Sequence, residues 1–308
     1  MKDYERQVLR DVGLFAHGGA GKTSVAEAML FCAGVTTRLG LVSEGTSVLD
    51  FAPEAKNRVS SISLAVTGLE WEKHKINLVD TPGDMNFVAD ARAALRAVDA
   101  AVFVVDAVDG VKVITGKLWG EAKELGLPRI LFVNKLDRER ADFEATLESI
   151  KTSLEVAPCP LTIPLGEQDK LQGVVDLVRM KALMYEKDGS GKYKEGEIPK
   201  DAADEVAEYR EKMVEAIAES NDALDSHLAV ASPLADSLRC LRFTPARLNR
   251  EAGEARQCNR GLKKMWCARE DLNLHPFRDQ ILSLARLPFR HVRDLDQEQL
   301  GLSPDTNA

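Results

Sequence analysis

Three separated runs in this 308-residue chain combine small, charged and amide residues at suggestive spacings: AHGGAGKT at 16–23, DTPG at 80–83 and NKLD at 134–137. Their chemistry suits one nucleotide. In the first run, glycines let backbone N–H groups converge on phosphate oxygens that side chains would block. The loop passes from His17 through Gly18, Gly19, Ala20 and Gly21 to Lys22 and Thr23. It departs from G-x-x-x-x-G-K-[ST] at the first position, which is Ala16. Lys22 would reach the β- and γ-phosphates, and Thr23 would ligate Mg²⁺. The helix that follows would add its positive N-terminal end. Within this cradle the backbone does the binding, and the His17 side chain is read as filling a turn.

Asp80 ends the apolar run 76–79. That places it at the carboxyl edge of a sheet, where ligands bind. A carboxylate there can hold Mg²⁺ through a water, and Gly83 can present its N–H to a γ-phosphate. An ordinary Asp-Pro-Gly turn would explain 80–83 taken alone; downstream of a phosphate loop, the sensor reading prevails. NKLD follows the apolar strand 130–133. Asp137 can accept from N1–H and N2–H₂ of guanine, a donor pair that adenine lacks, so it would select GTP over ATP. Asn134 would tie the loops together, and the Lys135 stem would cover the base.

The surrounding elements alternate as these loops require. Residues 12–16 read as a buried strand, and 23–33 as a helix with Val25, Ala28, Met29 and Cys32 on its core face. Residues 63–71 and 75–80 read as an antiparallel hairpin. The run AAVFVVD at 100–106 is apolar on both faces, as a central parallel strand must be. Helices are expected at 86–96, 112–125 and 141–156, with a further strand at 129–134. Residues 158–199 carry short β-type runs at 161–164, 174–177 and 182–185 and a Gly-rich turn at 188–192. A long charged helix is expected at 201–224. The expected fold is α/β, a P-loop NTPase with a mostly parallel sheet flanked by helices, an inserted small α+β subdomain and an irregular C-terminal tail.

Net charge is −8, which excludes an obvious whole-chain nucleic-acid binder and gives no reason to expect specific DNA binding. The charge is split, −11 over residues 1–225 and +3 over 226–308, where Arg outnumbers Lys 11 to 2. Such a shift argues for two segments of different origin, such as a frameshift or a chimeric gene. The Arg-rich tail could touch RNA weakly through its charge. Five cysteines without regular spacing suggest no disulfide framework, and Cys240, Cys258, Cys267 and His275 contain no close ligand pair. No apolar run reaches the length of a signal peptide or a membrane span. A cytoplasmic protein without a membrane partner is expected.

The runs AHGGAGKTSVAEAML, INLVDTPGDMNF, VDAAVFVVDAVDGV and LPRILFVNKLDRERADF resemble the G domain of bacterial elongation factor G, and more closely its divergent elongation factor G-like paralogues. LQGVVDLVRMKALMY and the acidic helix after it look like the subdomain inserted in that family. The resemblance covers about residues 10–224. It implies a GTPase domain at 1–225, including a subdomain at about 158–225, that binds GTP or GDP with Mg²⁺ and acts with the ribosome in translation elongation.

Three departures qualify that implication. The family usually has a histidine after DTPG to position the attacking water; here it is Asp84. An anion there repels the charge that accumulates on the phosphates, so slow turnover is expected with Lys22, Gly83 and Asp84 as the catalytic set. The family's Arg-Gly-Ile-Thr becomes Arg58-Val59-Ser60-Ser61, leaving Ser61, or Ser60 by a one-residue shift, as the third Mg²⁺ ligand beside Thr23 and Asp80. The family's Ser-Ala base loop and later domains have no counterpart after Asp225. A truncated translocation factor is the leading expectation; a non-catalytic guanine-nucleotide module and an inactive gene fragment are the alternatives.

Overall fold

The computed structural model describes residues 4–71, 73–186 and 193–218. Their order is β1 (Leu9–Phe15), α1 (Lys22–Cys32), α2 (Pro53–Arg58), β2 (Ala65–Trp71), β3 (His74–Asp80), α3 (Val88–Leu95), β4 (Ala100–Asp106), α4 (Val113–Glu124), β5 (Arg129–Asn134), α5 (Phe143–Leu154), β6 (Thr162–Leu165), β7 (Gly173–Asp176), β8 (Lys181–Tyr185), β9 (Tyr193–Gly196) and α6 (Ala203–Ala218).

Five strands form one sheet in the order β2-β3-β1-β4-β5. The pairs β1·β3, β1·β4 and β4·β5 are parallel, and β2 runs antiparallel to β3 as the hairpin pattern required. The chain leaves β1 on one side to reach β3 and then crosses back to β4 on the other side. This reversal makes a switch point beside β1, with four strands ending at the same edge.

Strict alternation assigns each strand residue to a face. Val12 and Leu14 of β1, with Ala100, Val102 and Val104 of β4, pack against Val25, Ala28 and Met29 of α1. Phe15, Ala101, Phe103 and Val105 point the other way, toward Leu95 of α3, Leu118 and Trp119 of α4, and Ile150 of α5. Phe103 meets Trp119 edge-on at 5.1 Å between centroids and Phe15 at 5.6 Å. Burying each of these large side chains contributes about 1.5–3 kcal/mol.

The second unit is an antiparallel sheet, β6-β7-β8-β9, covered by α6. Ile163, Val175, Leu177 and Ala182 meet Val206 and Met213 of α6, and Phe143 of α5 packs at the margin. This is the expected α+β insertion. Strand β9, exposed throughout, has no apolar pattern to betray it and is held through its backbone pairing with β8. The Gly-rich turn at 188–192, residues 219–224 of the expected acidic helix and the tail at 226–308 lie outside the described residues. Two expectations change. Cys32 is exposed rather than core: it is the last residue of α1, just past Met29 and Leu30, which are buried. The helix expected at 86–96 begins with a 3₁₀ turn, Met85–Phe87, capped by the Asp84 carboxylate accepting from Asn86 N. Among the described residues, no helix is long and apolar enough to cross a membrane.

Candidate functional site

The loops that leave β1, β3, β4 and β5 meet at the switch-point edge of the five-stranded sheet. The first turns through Gly19 and Gly21, at φ +82° and +95°, conformations that favour glycine. A Cβ on Gly21 would also come within 2.3 Å of Asn134 Nδ2. Ala20 is wholly buried in this turn. Lys22 opens α1, and its ammonium donates to the carbonyls of Ala16 at 3.2 Å and His17 at 3.0 Å. Burial lowers its pKa to about 8, against the pull of Asp80 and Asp50.

Thr23 Oγ1 donates to Asp80 Oδ2 at 2.6 Å and lies 2.9 Å from Ser61 Oγ. The three side chains expected to hold a metal are thus brought together, and Ser61, rather than Ser60, meets Thr23. Asp80 is 1% exposed, and its Oδ1 is buried without a hydrogen-bond partner. Burial lifts this carboxyl to about 6, partly offset by the Thr23 hydrogen bond and the Lys22 charge. Two hydroxyls and a carboxylate with an orphaned oxygen form an all-oxygen donor set. That set fits a hard cation such as Mg²⁺.

The DTPG turn lies against the phosphate loop. Thr81 Oγ1 donates to Leu14 O at 2.6 Å and fixes the turn to β1. A Cβ on Gly83 would stand 2.3 Å from Lys22 Nζ and 2.6 Å from Gly18 N, so this approach needs glycine. Asp84 Oδ1 accepts from both Asn86 N and Asn86 Nδ2 at 2.9 Å.

At the end of β5, Asn134 Nδ2 donates to Ala20 O at 2.8 Å, and Asn134 Oδ1 accepts from Lys135 N at 2.9 Å. One buried carboxamide therefore joins NKLD to the phosphate loop, as expected from the sequence. Lys135 sits at φ +64° and pairs with Asp106 Oδ2 at 2.5 Å. Burial pushes the Asp106 carboxyl up. Hydrogen bonds from Lys135 and from the N–H groups of Val108 and Asp109 outweigh that and hold it below its ordinary value. Asp137 is buried, and its Oδ2 has no hydrogen-bond partner among the described residues.

These loops border a cleft of about 290 Å³. Gly18, Lys22, Thr23, Gly83, Asn134 and Lys135 line one side, and Leu39–Ser43 with 59–61 line the other. Of that second wall, 60–61 were expected from the sequence and 39–43 were not. Two buried acids close by were also missed. Glu27, fully buried, accepts through Oε1 from Ser47 Oγ and from the N–H groups of Val48 and Leu49, stapling that segment to α1. Asp50 is buried with an unpartnered Oδ2, and its charge acts on Lys22 and Asp80. The readable signal for Glu27 was a carboxylate within the otherwise apolar AEAML of α1. His17 is also buried; its backbone N–H donates to Thr115 Oγ1 at 3.1 Å, which fits the turn-filling role.

The family described as the elongation factor Tu GTP binding domain matches residues 7–258 of this chain. The chain belongs to that family. It therefore carries a guanine-nucleotide-binding GTPase domain of the translation-elongation-factor type. A crystal structure of a protein from Thermus thermophilus is similar, with 36% sequence identity and a TM-score of 0.69 over 76% of this chain. The present chain spans 35% of the length of that protein. Membership of the elongation factor Tu domain family gives the cleft its ligand class. It leaves the individual residue roles to be argued from geometry.

Proposed function

We propose that this chain binds GTP with Mg²⁺ and hydrolyses it slowly, as an elongation factor G-like GTPase working with the ribosome in the cytoplasm. The observation that carries the reading is the meeting of Thr23, Ser61 and Asp80 beside Lys22, with Asp80 Oδ1 left unpartnered. Bound Mg²⁺ would supply charge neutralisation on the β- and γ-phosphates. Lys22 would leave the Ala16 and His17 carbonyls and donate to those phosphates. The backbone from His17 to Gly21 would cradle them, and Gly83 N–H would face the γ-phosphate. Asp137 would receive the guanine donors, with Asn134 and Lys135 fixing its loop. In this reading 1–225 is the GTPase unit, with its inserted subdomain at about 158–225.

Asp84 supports slow turnover. Its Oδ1 is occupied by Asn86, and its charge adds repulsion beside the γ-phosphate. That same turn favours a second reading, guanine-nucleotide binding without hydrolysis. Single-turnover hydrolysis of GTP by the 308-residue chain, with and without ribosomes, separates the two. Slow cleavage that requires Mg²⁺ and is lost in Thr23→Ala supports the proposal. Stable GTP binding with no cleavage over many hours supports the second reading. Cleavage on ribosomes as fast as an ordinary translocation factor refutes the role given to Asp84.

A further inference from the structure

One cluster of ligand-type side chains lies outside the lining of the nucleotide cleft. Among the described residues, one ligand atom each of His17, Asp106 and Asp109 lie within 4.8 Å of one another. The His17 side chain is only 8% exposed. Its Nε2 is buried with no hydrogen-bond partner and stands 4.0 Å from Asp109 Oδ2. That separation is too long for a hydrogen bond; a tetrahedral ion with bonds of about 2.0–2.2 Å would bring the two atoms to about 3.3–3.6 Å, a closure that the half-exposed Asp109 side chain can make by rotating. The other ring nitrogen, Nδ1, lies 3.4 Å from Thr115 Oγ1, a contact that fixes the ring with Nε2 toward the carboxylates.

We propose that His17 Nε2, Asp109 Oδ2 and Asp106 form a site for a divalent transition-metal ion of the Zn²⁺ or Co²⁺ class, distinct from the Mg²⁺ of the nucleotide. An imidazole ligand selects such ions over Mg²⁺, which prefers oxygen alone. Three lysines oppose a cation here, Lys22 through its charge on His17 and Lys112 and Lys135 by pairing with the carboxylates. Lys112 sits 3.3 Å from Asp109 Oδ1, leaving Oδ2 toward His17. Lys135 holds Asp106 Oδ2 at 2.5 Å, and the backbone N–H groups of Val108 and Asp109 hold Oδ1. A metal that draws on Asp106 therefore competes with Lys135, which belongs to the base-reading run. Metal binding should loosen that run and weaken guanine-nucleotide affinity, and nucleotide should weaken metal binding by the same factor. This coupling rests on the guanine-nucleotide reading of the cleft; the metal site itself does not.

The test is a Co²⁺ titration of the full chain in excess Mg²⁺ without nucleotide, followed by visible absorption and reversed with Zn²⁺. The expected result is a saturable d–d spectrum without an intense near-ultraviolet thiolate band. Asp109, half exposed, tolerates Asp109→Asn without loss of fold, checked by circular dichroism, and this variant should bind Co²⁺ about tenfold more weakly. Lys112→Gln should bind about threefold more tightly, since a competing cation is gone. Thiolate bands would assign the ion to the cysteines and overturn the site. So would an Asp109→Asn affinity equal to the parent's, or no spectral change up to millimolar Co²⁺. Fluorescent GDP titrations with and without Zn²⁺ then read the coupling. Weaker GDP binding in the parent, with no such effect in Asp109→Asn, supports it. Bound metal with unchanged GDP affinity overturns the coupling alone. Failure to bind GDP at all refutes the reading of the cleft, while the Co²⁺ data still decide the site.

Discussion

Replacing Asn134 with alanine tests the idea that one carboxamide assembles the site. Asn134 is 4% exposed and makes two hydrogen bonds, Nδ2 to Ala20 O at 2.8 Å and Oδ1 from Lys135 N at 2.9 Å. Asn134→Ala removes both and strands a carbonyl in a fully buried residue and an N–H in a half-buried one. An unsatisfied buried group costs about 1–3 kcal/mol, with the half-buried N–H at the low end. The combined loss is about 2–4 kcal/mol, roughly a 30- to 1,000-fold effect at 1.4 kcal/mol per factor of ten. It can fall on folding, on nucleotide binding, or on both. The assay is therefore a pair of measurements on the same protein: urea unfolding without nucleotide, and fluorescent GDP titration. Their summed losses should reach the stated range. Asn134→Asp is the sharper control, because it keeps the acceptor for Lys135 N and sets a carboxylate oxygen against the Ala20 carbonyl. It should lose at least as much as alanine. A summed loss below about 0.5 kcal/mol for Asn134→Ala, or recovery of parent behaviour in Asn134→Asp, would refute the reasoning.

Asp137→Asn replaces an acceptor pair with one donor and one acceptor. GDP affinity should fall at least about a hundredfold, with no gain for ADP, as read by competition against fluorescent GDP. Asp84→His removes the anion beside the γ-phosphate position and should raise single-turnover GTP cleavage about tenfold or more; an unchanged rate would show that Asp84 does not limit turnover. The Asp80 carboxyl, raised by burial to about 6 in the fold, lies near 3.9 in an unfolded chain. The native state therefore binds the extra proton between those values. This group's contribution to the stability of the nucleotide-free chain is fully present below about pH 4 and is lost as pH rises through 6. Mg²⁺-dependent GDP affinity should change the opposite way, rising to about pH 6 and levelling above it. A flat Mg²⁺ dependence between about pH 5 and 7 would contradict the placement of Asp80 at the metal.

The alternating βα pattern and the three loops were legible because their signals are local. An apolar run such as AAVFVVD can be little else than a central strand, and glycines at φ +82° and +95° announce the turn that needs them. The meeting of Thr23 with Asp80, 57 residues apart, followed from both lying at the carboxyl ends of parallel strands or just beyond them. The 39–43 part of the cleft's second wall was not legible. Those residues have no periodicity, and the segment after them is held by Glu27, whose three hydrogen bonds go to Ser47, Val48 and Leu49, 20 to 22 residues along the chain. Cys32 was misplaced because helical periodicity gives a face but not where the neighbouring sheet ends. Strand β9, YKEG, has no apolar residue except an exposed tyrosine, and only a partner strand makes it a strand.

At the ligand-facing edge of the main sheet, the buried carboxylates Asp50, Asp80 and Asp137 each keep an oxygen without a hydrogen bond. Such atoms cost stability in a folded chain, and a bound ligand would offset that cost. The compensations differ. Asp137 needs hydrogen-bond donors, which guanine carries. Asp80 would be relieved by positive charge, because burial above all, and then the charges of Asp50 and Glu27, disfavour its ionised form despite the Thr23 hydrogen bond and Lys22. A nucleotide alone would make that worse, since its phosphates bring more negative charge to Lys22. A divalent cation alone would relieve Asp80 and leave Asp137 unanswered. The two ends of the cleft are joined through Asn134 and Ala20, so ordering one end lowers the cost of ordering the other. In the proposed reading nucleotide and cation bind with positive coupling, so Mg²⁺ should tighten GDP binding and GDP should tighten Mg²⁺ binding by the same factor.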